Sequence, residues 1–128
     1  MADLKNLSIR NEVGELYNLK KLNISGCFID KLPNFKHLEK LETLDISRNY
    51  FDTIDDEVFG RMNSITKLIA SENKFETFPI IKKLERLTSL DLSKNQIKVI
   101  PDYINKNINL EEFIMKHNKI SELPLGFR

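Results

Sequence analysis

The sequence predicts an α/β solenoid, with a parallel β-sheet on one face and mostly irregular or 3₁₀ segments on the other. Three observations carry this prediction. Apolar residues recur at a fixed spacing through most of the 128-residue chain. Each recurrence contains two apolar residues two positions apart, which is the mark of a strand, and an Asn or Cys follows at a constant distance. A repeat of about 20 to 50 residues indicates stacked units rather than one conventional core.

The residues before Leu19 are predicted to form an N-terminal cap, because they are too few for a complete repeat. Leu4, Leu7 and Ile9 have the spacing of the start of a repeat, but only fifteen residues separate Leu4 from Leu19. Terminal repeats are expected to be atypical. The cap is predicted to be either a short strand added to the sheet or a helix that begins after Asp3, and the sequence leaves both open.

Five repeats follow the cap, and their first residues are 22, 24, 22 and 23 positions apart. Apolar residues occupy positions 1, 4, 6, 11 and 14 of each repeat. Side chains alternate along a strand, so positions 4 and 6 are predicted to point into the core and positions 3, 5 and 7 into solvent. No repeat can bury its apolar residues alone, so neighbouring repeats must stack. The predicted boundaries are 1–18 for the cap and 19–40, 41–64, 65–86, 87–109 and 110–128 for the repeats, which form one solenoid domain.

Position 9 carries an amide in the last four repeats, and this structural asparagine column consists of Asn49, Asn73, Asn95 and Asn118. An amide inside a turn can donate and accept hydrogen bonds with backbone groups that leave the strand ladder. We therefore predict that these residues stabilise the fold and take no part in catalysis. Cys27 has the same position in the first repeat and is predicted to be a buried turn residue rather than a reactive thiol.

The segments that return to the next strand differ in proline content. Proline follows position 14 in four repeats, as Pro33, Pro79, Pro101 and Pro124, and it fixes the backbone there. Extended, polyproline or short 3₁₀ structure is therefore predicted on this side. The second return segment, 55–64, has no proline and is predicted to contain a helical turn. The side chains predicted to face inward from this turn are Val58, Phe59 and Met62.

The spacing L-x-x-L-x-L-x-x-N/C-x-L resembles the motif of the leucine-rich repeat family, and the resemblance covers roughly residues 16–124. It implies a right-handed horseshoe segment with the parallel sheet on its concave face, of a short intracellular type with five repeats. An amphipathic helix bundle is the alternative, and pairs such as Leu44 with Ile46 disfavour it because they have strand spacing. Extracellular family members usually close both ends with cysteine-bearing caps, whereas this sequence has one cysteine.

Composition and motifs give no support to an enzyme, a nucleic-acid binder or a membrane protein. The chain has 20 Lys and Arg against 19 Asp and Glu, whereas nucleic-acid binders are usually strongly basic. Phosphate-loop, H-E-x-x-H and G-x-S-x-G motifs are absent from the sequence. We therefore predict no enzymatic activity, no cofactor, no metal and no nucleic-acid partner. One cysteine, no signal sequence and no apolar run of membrane length predict a cytoplasmic protein without membrane insertion.

The family resemblance implies protein binding through outward side chains of the concave face. Ile69 and Ile114 are apolar where the strand points outward, and Phe28 and Tyr50 share position 10 of adjacent repeats. The two rings are predicted either to contact a partner or to cover the flank of the core. The full set of predicted contact residues is Asn23, Phe28, Asp45, Arg48, Tyr50, Ile69, Glu72, Asp91, Lys94, Ile114 and His117.

The last repeat is predicted to leave an open C-terminal edge, because no polar capping helix follows it. The residues of this edge are Met115, Leu123, Leu125 and Phe127. A protein partner or a second copy of the chain, giving a homodimer, is expected to cover them. The function predicted first is a non-enzymatic adapter or regulatory subunit that binds a protein. The alternative is a ligand-recognition fragment of a larger receptor or immune-type protein of the same family.

Overall fold

The computed structural model describes residues 2–3, 18–32, 38–59, 62–106 and 109–121. Its main element is one sheet of six parallel strands, in which each strand pairs with its neighbours in sequence order. The strands are β1 (Ala2–Asp3), β2 (Lys21–Asn23), β3 (Thr43–Asp45), β4 (Lys67–Ile69), β5 (Ser89–Asp91) and β6 (Glu112–Ile114). This parallel ladder confirms the predicted solenoid.

The register of the sheet places equivalent positions of the repeats side by side. At position 4, the row of paired residues is Leu22, Leu44, Leu68, Leu90 and Phe113. Backbone hydrogen bonds continue beyond the strands, since the position-6 N–H of Ile46 donates to Ile69 O at 2.8 Å. Each repeat is therefore tied to the next over a longer stretch than its three-residue strand.

β1 shows that the start of the chain adds a strand to the sheet. Ala2 pairs with Leu22, and Asp3 pairs with Asn23. β1 is consistent with the predicted strand, whereas the helix predicted as the alternative would begin after Asp3 and lies outside the described residues. Leu4, Leu7 and Ile9 of the predicted cap also lie outside the described residues.

The core lies behind the sheet and is built from the inward positions of the repeats. In the first four repeats, side chains at positions 4 and 6 are at most 1% exposed, which confirms the predicted orientation. These side chains are Leu22, Ile24, Leu44, Ile46, Leu68, Ala70, Leu90 and Leu92. Phe113 and Met115, at the same positions of the last repeat, are half-buried and pack against this core. Burial of one such large side chain contributes about 1.5–3 kcal/mol.

The return segments contain two 3₁₀ helices, Asp56–Phe59 and Asp102–Lys106. The first lies in the segment without proline, where the inward side chains are buried as predicted: Val58, Phe59 and Met62. The second directly follows Pro101, whose fixed φ suits the start of a helix. The Tyr103 hydroxyl of this second helix donates to Pro79 O at 3.1 Å and so joins two neighbouring return segments.

Candidate functional site

The position-9 asparagines join adjacent repeats through their side-chain amides. Oδ1 of Asn49 accepts hydrogen bonds from the N–H groups of Cys27 and Ile29, at 2.9 and 3.0 Å. Its Nδ2 donates to Ile24 O of the preceding repeat at 2.9 Å and lies 3.1 Å from Ile46 O of its own repeat. Asn49 is buried, so its amide is used by the fold and is not presented to a partner.

The same contact recurs along the column. Nδ2 of Asn73, Asn95 and Asn118 donates to the position-6 carbonyl of the preceding repeat, at 3.0, 3.1 and 2.8 Å respectively. Cys27 takes this position in the first repeat, and its thiol donates to Ser25 O at 3.5 Å. Cys27 is half-buried, which corrects the prediction of a buried residue.

Positions 5 and 7 form a polar turn that differs from the sequence prediction. Oδ1 of Asp45 accepts hydrogen bonds from the Ser47 N–H at 3.0 Å and from its hydroxyl at 2.6 Å. Asp91 and Ser93 make the same two contacts, at 2.9 and 2.7 Å. Ser47 and Ser93 are therefore buried. The prediction that position 7 faces solvent is wrong in these two repeats, because the hydroxyl turns onto the carboxylate.

The strand face consists of the outward side chains at positions 3 and 5 of β2 to β6. Its residues are Lys21, Asn23, Thr43, Asp45, Lys67, Ile69, Ser89, Asp91, Glu112 and Ile114. Oδ1 of Asn23 likewise accepts a hydrogen bond from the Ser25 N–H at 2.8 Å. Three position-5 side chains, those of Asn23, Asp45 and Asp91, therefore stabilise the turn and also face outward. Ile69 and Ile114 are half-buried and pair with Asp45 or Asp91 of the preceding strand. The strand face therefore brings apolar and anionic side chains together.

Every position-8 residue has a left-handed backbone. The φ angles are 65° at Gly26, 54° at Arg48, 55° at Glu72, 57° at Lys94 and 60° at His117. This conformation costs an L-residue about 1–2 kcal/mol, and the position-8 N–H groups of Arg48 and Glu72 hold it by donating to the next repeat at 2.9 and 3.0 Å. Sequence reasoning missed this feature, whose one signal is Gly26. The chain therefore turns out of the strand here, and later side chains lie at the edge where the strands end.

The position-8 side chains bring charges of both signs to this edge. Lys94 Nζ lies 3.2 Å from Glu72 Oε1, with both side chains largely exposed, and such a pair contributes about 0–1 kcal/mol. The guanidinium of Arg48 reaches back over the first repeat, since its Nη2 would lie 3.9 Å from a Cβ built on Gly26. His117 is exposed in the last repeat.

An aromatic pair lies beside these charges, at position 10. The ring centroids of Phe28 and Tyr50 are 6.1 Å apart, and the rings are tilted by 33°. Lys74, at position 10 of the third repeat, places its Nζ 4.8 Å from the Tyr50 centroid. Phe28 is 73% exposed and Tyr50 45% exposed. Both rings therefore lie on the surface of the described part of the chain.

The predicted C-terminal edge is described only in part. Met115 is half-buried, whereas Leu123, Leu125 and Phe127 lie outside the described residues. Within the described ranges, no three His, Cys, Asp or Glu side chains are placed to hold a metal ion. No helix in this part of the chain has the length and apolar character needed to cross a membrane.

Known proteins with a similar sequence or structure have the same kind of repeat. Residues 17–75 and 86–107 each match a family profile described as leucine-rich repeat. Leucine-rich repeat-containing protein 4 of Rattus norvegicus, Mus musculus and Homo sapiens is 37% identical over 70 residues, which are 53% of this chain and 11% of those relatives. The structure is similar to an internalin (inlF) from Listeria monocytogenes, with a TM-score of 0.76 and 23% identity over 88% of this chain and 33% of that chain. With its matched profiles, its curated relatives and its ladder of parallel strands, the chain belongs to the leucine-rich repeat family.

Proposed function

We propose that this chain is a non-enzymatic protein-interaction module, acting as an adapter or regulatory subunit, whose strand face binds a protein partner. The observation that carries the proposal is a contrast within β2 to β6. Their inward side chains are uniformly apolar, whereas outward side chains at equivalent positions differ in charge, size and polarity between repeats. A rigid ladder that presents varied side chains loses little conformational entropy on binding, which suits recognition.

The strand face is too small to form a protein–protein interface of standard size by itself. Five strands about 4.8 Å apart span roughly 19 Å, and three to five residues of about 3.3 Å give a width of roughly 10 to 17 Å. The projected area is thus roughly 200 to 330 Å², against about 800 Å² per partner in a standard interface. We therefore propose that the interface extends to the neighbouring position-8 and position-10 side chains.

Site-specific photocrosslinking tests the proposal. A photoreactive residue at Lys67, on the strand face, is compared with one at Lys82, which is also exposed but lies on a return segment. In an extract of the source organism, the Lys67 probe is expected to capture a discrete protein that the Lys82 probe does not. Capture of the same protein from Lys82 alone, or equally from both sites, would contradict binding through the strand face.

A ligand-recognition fragment of a larger receptor or immune-type protein is the second candidate. Its support is that the match spans 11% of the curated relatives. It uses the same strand face but predicts further repeats in the gene, which the sequence of the full transcript tests. We also propose a cytoplasmic location, because a lone cysteine suits a reducing compartment. Imaging of the tagged full-length protein tests that location.

A further inference from the structure

Phe28 and Tyr50 form an exposed aromatic pair on neighbouring repeats. Single exposed apolar side chains are common and need no explanation. Phe28 and Tyr50, however, are in contact with each other, and Phe28 is the most exposed large apolar side chain in the described part of the chain. The backbone of Tyr50 is held in place next to the first repeat, since the Tyr50 N–H donates to Ile29 O at 2.7 Å. The pair is therefore a preformed apolar surface.

An acidic column runs beside this pair, at position 12. Asp30, Asp52 and Glu76 are all exposed, and the described residues place no cation within ion-pair distance of any of them. The position-11 side chain between each position-10 and position-12 residue is buried, as Phe51 is between Tyr50 and Asp52. Residues two apart in an extended chain lie about 7 Å from each other on the same side, and this applies to Tyr50 and Asp52, whereas Phe28 has a left-handed φ of 60°. The Tyr50 ring therefore has a carboxylate without a described ion-pair partner beside it, and Asp30 is exposed two residues after Phe28, with the buried Ile29 between them.

Two considerations indicate which side chain of a partner this surface would bind. The first is the cation already present on it: the Tyr50 ring accepts the ammonium of Lys74 on one side, whereas no described cation covers Phe28. The second is the geometry of arginine, whose planar guanidinium stacks on a ring while its N–H groups donate to a carboxylate. Arg48 lies on the strand side of the pair and Lys74 at its far end, so the open acidic surface is that of the first two repeats.

We propose that Phe28, Asp30, Tyr50 and Asp52, here called the aromatic–acidic patch, bind an arginine-containing segment of the protein partner. An arginine side chain stacks on Phe28 and directs its guanidinium to Asp30 and Asp52. This inference rests on the proposed function, because it names the part of the partner that contacts the edge of the strand face. It also supplies contact area that the strand face lacks.

Peptide titration followed by NMR tests the patch without knowledge of the partner. The probe is a synthetic peptide of alternating Gly and Arg, titrated at low salt into the ¹⁵N-labelled chain, and the matched peptides carry Lys or neutral citrulline in place of Arg. Shifts are expected at 28–30 and 50–52, strongest with Arg and absent with citrulline. The double variant Asp30→Asn, Asp52→Asn is expected to weaken binding about five-fold or more, and Phe28→Ala is expected to weaken it as well.

Glu85→Gln is the control variant, since Glu85 is also an exposed acid but lies on a return segment. Equal loss of binding in Glu85→Gln would reduce the effect to general charge attraction and overturn the proposal. No binding at millimolar peptide, shifts confined to the strand face, or preference for an acidic Gly–Glu peptide would also overturn it. Crosslinking of a partner from Lys67 is independent of these outcomes, so failure of the patch is distinguishable from failure of the proposed function.

Discussion

At the scale of single residues, polar side chains of the motif make the hydrogen bonds that join the repeats and shape their turns. The Asn49 amide makes hydrogen bonds to both the preceding repeat and its own. The carboxylate of Asp45 likewise holds the hydroxyl and N–H of Ser47. The buried asparagines therefore act as fixed connectors, whereas the half-buried position-5 carboxylates both shape the turn and face outward on the strand face.

Replacing a central asparagine is expected to destabilise the fold. Asn73→Leu or Asn95→Leu leaves buried backbone groups without partners, and we expect a loss of about 1–3 kcal/mol in the free energy of unfolding. Chemical denaturation measures this loss. Asn63→Leu is the control, because Asn63 is exposed on a return segment and its substitution is expected to leave the midpoint nearly unchanged. An unchanged midpoint for Asn73→Leu would contradict the structural role.

The left-handed column gives a second prediction. Gly26 has φ of 65°, and a Cβ there would meet no atom closer than 3.9 Å, so Gly26→Ala is strained by its backbone alone. We expect it to lower the free energy of unfolding by about 1 kcal/mol. His117→Ala, at φ of 60°, exchanges one L-residue for another and is expected to change stability little. Equal effects in thermal unfolding would show that the left-handed backbone is not the cause.

At the scale of elements, short strands and 3₁₀ helices gain their stability from the side chains they bury. Three-residue strands offer few backbone hydrogen bonds, and the Asp56–Phe59 helix is a single turn. Phe59 of this helix is 1% exposed and is among the largest fully buried side chains. The return segments therefore contribute to the core as directly as the sheet does.

Truncation of Phe59 tests that contribution. We expect Phe59→Ala to cost about 3–5 kcal/mol, because the site is fully packed. Phe28→Ala is the matched control, since the same side chain is removed from a position that is 73% exposed, and its expected cost is close to zero. Urea denaturation of both variants gives the comparison. Similar losses in the two variants would mean that the helix is not part of the core.

The sequence predicts those elements whose burial is encoded by residue type at a fixed spacing. Leu44 and Ile46 face inward as predicted because the motif repeats their spacing in every strand. The left-handed backbone at Arg48 is different, because it is imposed by hydrogen bonds to the next repeat and carries no glycine to signal it. Burial of Ser47 also follows from a neighbouring carboxylate, Asp45, and not from the polarity of serine. On the surface, the sequence predicts that Phe28 and Tyr50 lie on adjacent repeats. Only the structure shows that the acidic side chains of Asp30 and Asp52 have no ion-pair partner among the described residues.

At the scale of the whole molecule, each repeat contacts mainly its neighbours, so stability is distributed along the ladder. Central repeats are covered on both sides, and their inward side chains are fully buried. Phe113, Met115 and Ile120 of the last repeat are half-buried. In such arrays stability is approximately a sum of repeat and nearest-neighbour contributions. Local opening is therefore expected to differ between the middle and the last repeat.

Hydrogen exchange of single amides measures this difference. The Ala70 N–H donates to Asp91 O at 2.8 Å and the Lys119 N–H to Ile97 O at 2.9 Å, so the two bonds are of similar length. Ala70 is buried and Lys119 is exposed in the last repeat. We expect exchange at Ala70 to be slower by about ten-fold or more after correction for intrinsic rates. Equal protection would show that the ladder opens as one cooperative unit.

The common register of the strands has a genetic consequence. Each strand presents the same pattern of donors and acceptors to both neighbours, and the position-9 amide connects its repeat to whichever repeat precedes it. A duplicated stretch of 22 to 24 residues would meet compatible edges on both sides. Unequal crossing-over could therefore lengthen this gene in frame, and every added copy would bring new outward side chains on which selection can act.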